Sequence, residues 1–598
     1  MKLVRAIAVC WFFCATAQMG NSAAADDYLP PKVDTTTPTG VNLADGSFIY
    51  SQTDISIGTL SLERHHLGGI EDPNAPFFGP RMSNNFDVFI TTNYQPAPHY
   101  YVYSPIVHTG LSAAGPYQEH VASGVSTITP EYGDGNSGVL AKSGSAYVYT
   151  AQDGTIYTFN PSVSVRGAIS TGPTQRVASI AYPNGRLLSF SYDANGDLKE
   201  VTDSNGFALI FDYNADHTVS AACGFNLSQT YVTVASTCTG ASLKVVYGYT
   251  SGLLTSVTDV LGNTTTYQYQ GQEISCILPP GMSTCKIRND YGVGGWFQVN
   301  KQTLADGSVW QFSYWGQYTD SRDPNPTSPF DGDYATTVTD PASKVSHYIF
   351  TQTSPNSVTD ANSRTTTYKY SGGGTDPNIG TLLNEGSMLV EADYPEGNKY
   401  KAEFFGPFNA LSKQTWAAKP GSGLPDAVAT FGYSCSSSVP TPTCAKPINK
   451  VDPKGNQTDY TYATFGGVTS EMQPAPSSGA ARPLKLYSYV QKSAYVKNSG
   501  GSLVSTGVPI WVISTMTQCQ TVAGSSTAAC DTAAGAPRLQ TTYQYSSAVT
   551  ANNLLARGVE VKDLVTSATR LTCYTYDPIG RKISETSPRG NASITVCP

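Results

Sequence analysis

The run Asn184-Gly185-Arg186-Leu187-Leu188-Ser189-Phe190-Ser191-Tyr192-Asp193-Ala194-Asn195-Gly196-Asp197-Leu198-Lys199-Glu200-Val201-Thr202-Asp203-Ser204-Asn205-Gly206-Phe207-Ala208-Leu209-Ile210-Phe211-Asp212-Tyr213 decides the fold. Asn-Gly recurs at 184, 195 and 205. Between these dipeptides lie segments that alternate apolar and polar residues, such as Leu188 to Tyr192 and Leu209 to Tyr213. Alternation of period two is the mark of a strand with one buried face. Asn-Gly accepts positive φ cheaply, so it closes tight hairpins between such strands. Two strands and two turns make the unit, and the unit repeats.

Working outward, the same spacing returns along the chain. Thr202-Asp203 leads to Gly206 and then to Phe211 and Tyr213. Thr258-Asp259 leads to Gly262, Tyr267 and Tyr269, and Thr339-Asp340 to Ser343, Tyr348 and Phe350. Thr359-Asp360 leads to Ser363, Tyr368 and Tyr370, and Val451-Asp452 to Gly455, Tyr460 and Tyr462. In each copy Gly or Ser follows the aspartate by three positions and aromatic residues follow by eight and ten. The aspartate starts a turn and can bond backbone amides; Gly suits a turn that ends left-handed. Aromatics two apart share one face of a strand, so successive strands present a tyrosine ladder. The ladder reads as sheet packing in the first place, and as a sugar-binding platform in the second.

Tyr192-Asp193-Ala194-Asn195-Gly196-Asp197-Leu198 and Tyr574-Thr575-Tyr576-Asp577-Pro578-Ile579-Gly580-Arg581 resemble the Tyr-Asp (YD) repeat of RHS proteins. Val41 to Phe48, Thr53-Asp54-Ile55, Leu62-Glu63-Arg64, Phe78 to Ser83 and Asp153 to Phe159 resemble the segment that precedes such repeats. The resemblance covers most of residues 40–598, poorly at 300–335 and 500–540. It implies hairpins added side by side into one long sheet that coils into a hollow shell. It further implies an association with toxin delivery and contact between cells. Full-length members of the family often close the shell with a core region that carries a self-cleaving aspartate, followed by a variable toxic domain. This chain departs from that pattern, because neither region is recognisable after the repeats. It is therefore expected to be a natural short form or the front part of a larger shell. Asp577 continues into Gly580-Arg581-Lys582 as an ordinary repeat, so no catalytic residue is carried over.

Composition agrees with an all-β reading. Of 598 residues only 13% are charged, about half the usual share, which disfavours long charged helices. Gly (55), Pro (38) and Tyr (38) are abundant, as strands and turns require. No stretch has convincing helical periodicity. The formal charge of −8 gives no electrostatic footprint for nucleic acid. Lys2 and Arg5, the apolar run Ala6 to Ala17 and Ala23-Ala24-Ala25 read as a secretory signal peptide that is too short to span a bilayer. The expected organisation is a signal peptide (1–25), an extended arm (26–40), an N-terminal β domain (41–165), the YD-repeat array (166–500) and further repeat strands with a disulfide-tied loop (501–598). The mature chain is expected outside the cytoplasm: secreted, at the cell surface or in the periplasm, with no transmembrane segment.

Of twelve cysteines, ten lie beyond the signal and fall into neighbouring couples: Cys223 and Cys238, Cys276 and Cys285, Cys435 and Cys444, Cys519 and Cys530, Cys573 and Cys597. Five short-range couples in an exported chain read as local loop staples. Connectivity does not follow from sequence, and nearest-neighbour pairing is the simplest assignment. The absence of C-x-x-C and the distance of the histidines argue against zinc.

Other chemistry is sparse. Asp320, Asp323, Asp331 and Asp333 gather on a Pro-rich loop without the rhythm of a calcium loop. His65 and His66, adjacent in sequence, point to opposite faces of a strand. Trp296, Trp310, Trp315, Trp416 and Trp511 read as packing, and exposed ones as carbohydrate-stacking candidates. Gly372-Gly373-Gly374 and Ser499-Gly500-Gly501 read as flexible breaks. The expectation is a non-enzymatic scaffold without cofactor or metal, whose partner is a protein cargo or a cell-surface glycan. Self-association through the C-terminal sheet edge is also expected, since an open strand edge is a template for pairing. A carbohydrate-binding module is the first alternative and a glycoside hydrolase the second.

Overall fold

The computed structural model describes residues 31–597, apart from residue 32 and the segments 69–76, 97–100, 110–112, 115–116, 123–124, 131–137, 166–173, 293–296, 316–332, 352–353, 372–374, 377–379, 382–387, 406–409, 436–438 and 591–593. The signal segment, Trp296, the Asp320, Asp323 and Asp331 cluster and the Gly372 to Gly374 break lie outside the described residues. Among the described residues there is no helix; every regular element is a strand. The protein is all-β.

From Gln175–Ala181 to Lys582–Thr586 each strand pairs antiparallel with the next in the ladder. Among the described residues two short hairpins stand aside: Thr375–Asp376 with Gly380–Thr381, and Tyr495–Lys497 with Leu503–Ser505. Such a ribbon follows from short alternating strands joined mostly by tight turns, because each hairpin leaves an edge that the following hairpin completes. The boundary expected at residue 165 is not a break in this ladder, since Ile156–Asn160 pairs with Gln175–Ala181. Val88–Pro96 also joins that strand, through Gln175 opposite Ile90 and Arg176 opposite Phe89.

The ribbon coils on itself. Asn226 Nδ2 donates to Asn552 Oδ1 (2.6 Å) and to the Pro578 carbonyl (2.8 Å), across 326 and 352 residues of chain. The Trp511 amide donates to the Asn184 carbonyl (2.8 Å) and the Lys497 amide to that of Leu227 (2.7 Å). The part of the ribbon near residues 497–578, a second lap, therefore rests on the part near residues 184–227, which belongs to the first.

Inside the first lap lies the N-terminal segment. Val41, Phe48, Ile55, Leu62 and Phe78 belong to one buried core with Leu209, Phe211, Val245, Tyr267, Ile274 and Phe350. Burying an apolar side chain of this size contributes about 1.5–3 kcal/mol, so the segment holds the inner face of the ribbon by many such contacts. Of the expected arm only residue 31 and residues 33–40 are described. Its C-terminal end is not extended: Thr36 bridges Asn42, and the Gly40 amide closes a turn on the Thr37 carbonyl (3.0 Å).

Candidate functional site: clamped turns, tyrosine staples and interior anchors

The repeat aspartates share one geometry. At Asp193, Asp259, Asp340, Asp360, Asp452 and Asp577 the aspartate amide donates to the carbonyl four residues on. The amide three residues on returns to the aspartate carbonyl. Oδ1 accepts the amides two and four residues on, at 2.8–3.0 Å. One carboxylate thus satisfies two turn amides that no strand can reach. The residue three after the aspartate is left-handed: Gly196 (φ 81°), Gly262 (84°), Gly455 (80°) and Gly580 (89°), with Ser343 and Ser363 at 60°. Asp203 departs in part. Its Oδ1 accepts the Asn205 amide (2.9 Å), its Oδ2 accepts Arg186 Nε (2.9 Å), and Thr59 of the N-terminal segment donates to the same oxygen. The Arg364 guanidinium and the turn amides hold the Asp360 carboxyl down to about 2.

Ser499-Gly500-Gly501 belongs to the same design and is a correction to the flexible break expected there. Asn498 Oδ1 accepts the amides of Gly500 and Ser502 (both 3.0 Å), and Gly501 is left-handed (φ 79°). Asparagine supplies the same acceptor oxygen as aspartate, so the glycines complete a clamped turn.

The tyrosines do more than stack. Tyr213 Oη donates to the Leu198 carbonyl (2.7 Å), Tyr269 to Leu254 (2.7 Å), Tyr291 to Ile274 (2.8 Å), Tyr314 to Val299 (2.8 Å) and Tyr489 to Val468 (2.8 Å). In each of these strands the register shifts beside the acceptor: Leu198 pairs with Tyr192 and Glu200 with Ser191, which leaves Lys199 as an extra residue. A β-bulge takes a carbonyl out of the ladder, and the phenol of the adjacent strand restores its hydrogen bond. Tyr192 to Val177 (2.7 Å), Tyr462 to Pro447 (2.8 Å) and Tyr576 to Ala556 (2.7 Å) use the same reach. The residues at the eighth position pack instead: Tyr267 and Tyr460 are buried, and Tyr368 lies against the Leu389 and Tyr400 cluster with Tyr370. The spacing signalled the face but not the bulge, because a bulge has no residue signature of its own.

The N-terminal segment is tied to the ribbon by buried charges. Arg64 and Asp54, both fully buried, pair at 3.0 Å. Tyr247 Oη donates to Asp54 (2.9 Å), and Arg64 Nη2 donates to Tyr267 Oη (3.1 Å). Arg81 meets Glu273 at 3.2 Å, and Arg176 meets Asp87 at 3.0 Å. His65 and His66 are both buried; Nδ1 of His65 lies 2.8 Å from Ser51 Oγ and Nδ1 of His66 lies 3.0 Å from the Phe48 carbonyl. Burial pushes His66 down to about 4, so it is neutral at pH 7.

The cysteine couples are joined as neighbours: Cys223–Cys238, Cys276–Cys285, Cys435–Cys444, Cys519–Cys530 and Cys573–Cys597, with Cα atoms 4.8–5.6 Å apart. Three of them seal apolar patches separate from the main core. Cys223–Cys238 packs with Ile210, Cys519–Cys530 with Met472 and Leu484, and Cys573–Cys597 with Leu571. Residues 521–537 form an irregular loop over the second patch. Trp310 lies against the main core, Trp416 meets Tyr400 edge to face (5.8 Å), and Trp511 stacks on Phe465 (5.0 Å). Trp315 is 41% exposed. Among the described residues no group of three His, Cys, Asp or Glu side chains could hold a metal.

A family model for the RHS repeat matches residues 173–217, which hold the Asp193 and Asp203 turns and the Tyr192 and Tyr213 staples. Residues 173–217 are an RHS repeat. The same clamp and staple geometry recurs beyond the matched residues, as far as Tyr576 and Asp577. Among solved structures, TcdB2-TccC3 without its hypervariable C-terminal region is 10% identical, over 89% of this chain and 34% of that one, with a TM-score of 0.31. TcdB2-TccC3-Cdc42 is 11% identical, over 90% and 28%, at 0.33. The Photorhabdus luminescens Tc holotoxin pore is 12% identical, over 88% and 26%, at 0.31. The chain thus spans about a third or less of the length of those chains, and what those assemblies carry or bind is a property of those assemblies. A search among curated proteins finds no match.

Proposed function

We propose that the chain is a non-enzymatic, exported scaffold that works by shape, a coiled wall that encloses or presents a partner polypeptide in toxin delivery or contact between cells. What supports this reading is where the repeated polar groups spend their hydrogen bonds. Each clamp aspartate turns its Oδ1 onto turn amides, and each staple tyrosine turns its hydroxyl onto a carbonyl of its own sheet. Groups that would do acid–base or sugar chemistry are committed to holding the ribbon in shape. Five disulfides accord with an oxidising compartment.

The test is protease protection on the full chain purified from its own culture medium and periplasm. A polypeptide that survives protease with the intact coil, and is digested once the coil is unfolded, supports enclosure. Mass spectrometry of the same sample should show the mature N-terminus after Ala25. Turnover of a polysaccharide by the purified chain, with no protected partner, would overturn the reading. The exposed Trp315 favours one second reading, a glycan-binding wall, which predicts quenching of its fluorescence by cell-wall oligosaccharide.

A further inference from the structure

The ladder pairs Pro483–Lys492 directly with Ile510–Gln520, and the pairing runs out to Lys492 opposite Ile510. The chain between them, residues 493–509, is therefore not needed to join the two strands. It leaves the sheet and makes its own hairpin, Tyr495–Lys497 with Leu503–Ser505, tipped by the Asn498 clamp. This excursion touches both laps of the coil. Towards the first lap, Ala494 is 2% exposed and seated on the Gly206 turn. A β-carbon on Gly206 would stand 3.4 Å from that of Ala494 and 3.8 Å from Val496 Cγ1. The Lys497 amide donates to the Leu227 carbonyl (2.7 Å). Towards the second lap, the buried Asn553 accepts from the Tyr495 amide (3.0 Å) and donates to the Ser493 carbonyl (2.8 Å). At its exit, Pro509 passes over Gly185, where a β-carbon would lie 2.5 Å from the Pro509 carbonyl oxygen, and the Trp511 amide reaches Asn184.

We propose that residues 493–509 are a latch across the seam between the two laps, which keeps the second lap seated on the first and opens the coil when it is unseated. The physical argument is one of numbers. Within a lap, neighbouring strands share several ladder hydrogen bonds, whereas among the described residues the laps meet at turns and strand ends, as where Asn226 bonds Asn552 and Pro578 and Phe207 lies against Gly580. The seam is then the weakest join in the wall and the first to open, and the latch supplies a main share of what holds it. This holds whether or not the coil encloses a partner.

Two variants test it, the first a point substitution in the full chain and the second an excision. Ala494→Arg puts a long charged side chain where a methyl is packed against Gly206. The second variant replaces residues 493–509 by Asn-Gly between the paired Lys492 and Ile510. In Ala494→Arg, amide hydrogen exchange at Lys497 and Trp511 should quicken by about tenfold or more while ladder amides such as those of Ile210 and Tyr247 keep their rates. Both variants should show a larger radius of gyration by X-ray scattering. An unchanged Trp511 rate with an unchanged radius in either variant would overturn the latch. So would loss of protection throughout the ladder in the excision variant, which would make the hairpin part of the core.

Discussion

At the residue scale the protein is built on two side-chain oxygens, one in the turn and one on the inner face. The Tyr269 hydroxyl donates to the Leu254 carbonyl, beside a bulge in the ladder. Tyr269→Phe keeps the ring and its packing but removes this bond to the Leu254 carbonyl, which should cost about 1–2 kcal/mol in denaturant unfolding. A loss near zero would mean that the hydroxyl is incidental. The aspartate clamp carries its own pH signature. Asp360 is held to about 2 by Arg364 and the turn amides, below its ordinary value of 3.8. A depressed carboxyl contributes stability that is present above the unfolded value and lost as pH falls through the folded one. The clamp should thus be intact at neutral pH and fail between about 4 and 2. A carboxyl chemical-shift titration should place the Asp360 midpoint near 2; a midpoint near 4 would count against the clamp.

At the element scale the disulfides are covers. Cys519–Cys530 holds an irregular loop over Met472 and Leu484, on the face opposite Tyr460. Replacing both cysteines by alanine should cost about 3 kcal/mol by the loop-closure estimate for a separation of this size. It should also increase hydrogen exchange in residues 519–537 without changing the Tyr462 staple. Thiol counting on the denatured, unreduced mature protein should find no free thiols, and about ten would mean that the staples do not form. The C-terminal copy shows how a staple is replaced. Taking Ser587, whose carbonyl accepts the Gly590 amide, as the start of a further copy, the tenth position holds Cys597 where four of the five copies hold tyrosine and the Asp340 copy holds Phe350. Its sulfur bonds Cys573, so the chain there crosses to the Leu571 patch.

At the scale of the whole molecule, the coil is wound round its own N-terminal segment, and the charged anchors are the points where the winding is pinned. Arg64→Met would leave the Asp54 carboxylate buried without its cation. The expected loss is about 3–5 kcal/mol, seen as a lower unfolding midpoint. Adding Asp54→Asn removes the stranded charge and should recover part of it. If the double variant is as unstable as the single one, the anchor acts through Arg64 packing on Tyr267 rather than through its charge.

Strand, turn and face were legible in the residues, because their physics is local. Period-two alternation, an aspartate three places before Gly or Ser, and aromatics two apart each act within one hairpin, so reading Asp452-Pro453-Lys454-Gly455 was enough to place a turn. The cysteine couples were legible for a related reason, since short loops favour near partners. Three things depended on tertiary contacts. The bulge that gives each tyrosine hydroxyl its acceptor is a matter of register between strands. The burial of Arg64, His66 and Asp54 arises only when a segment near residue 60 meets strands near residues 250 and 270. The winding of the ribbon, which brings Asn226 to Asn552 and the 493–509 excursion to Gly206, sums small twists over hundreds of residues. No window of sequence contains that sum, and so the wall was readable from the chain while its curvature and its seam belong to the folded whole.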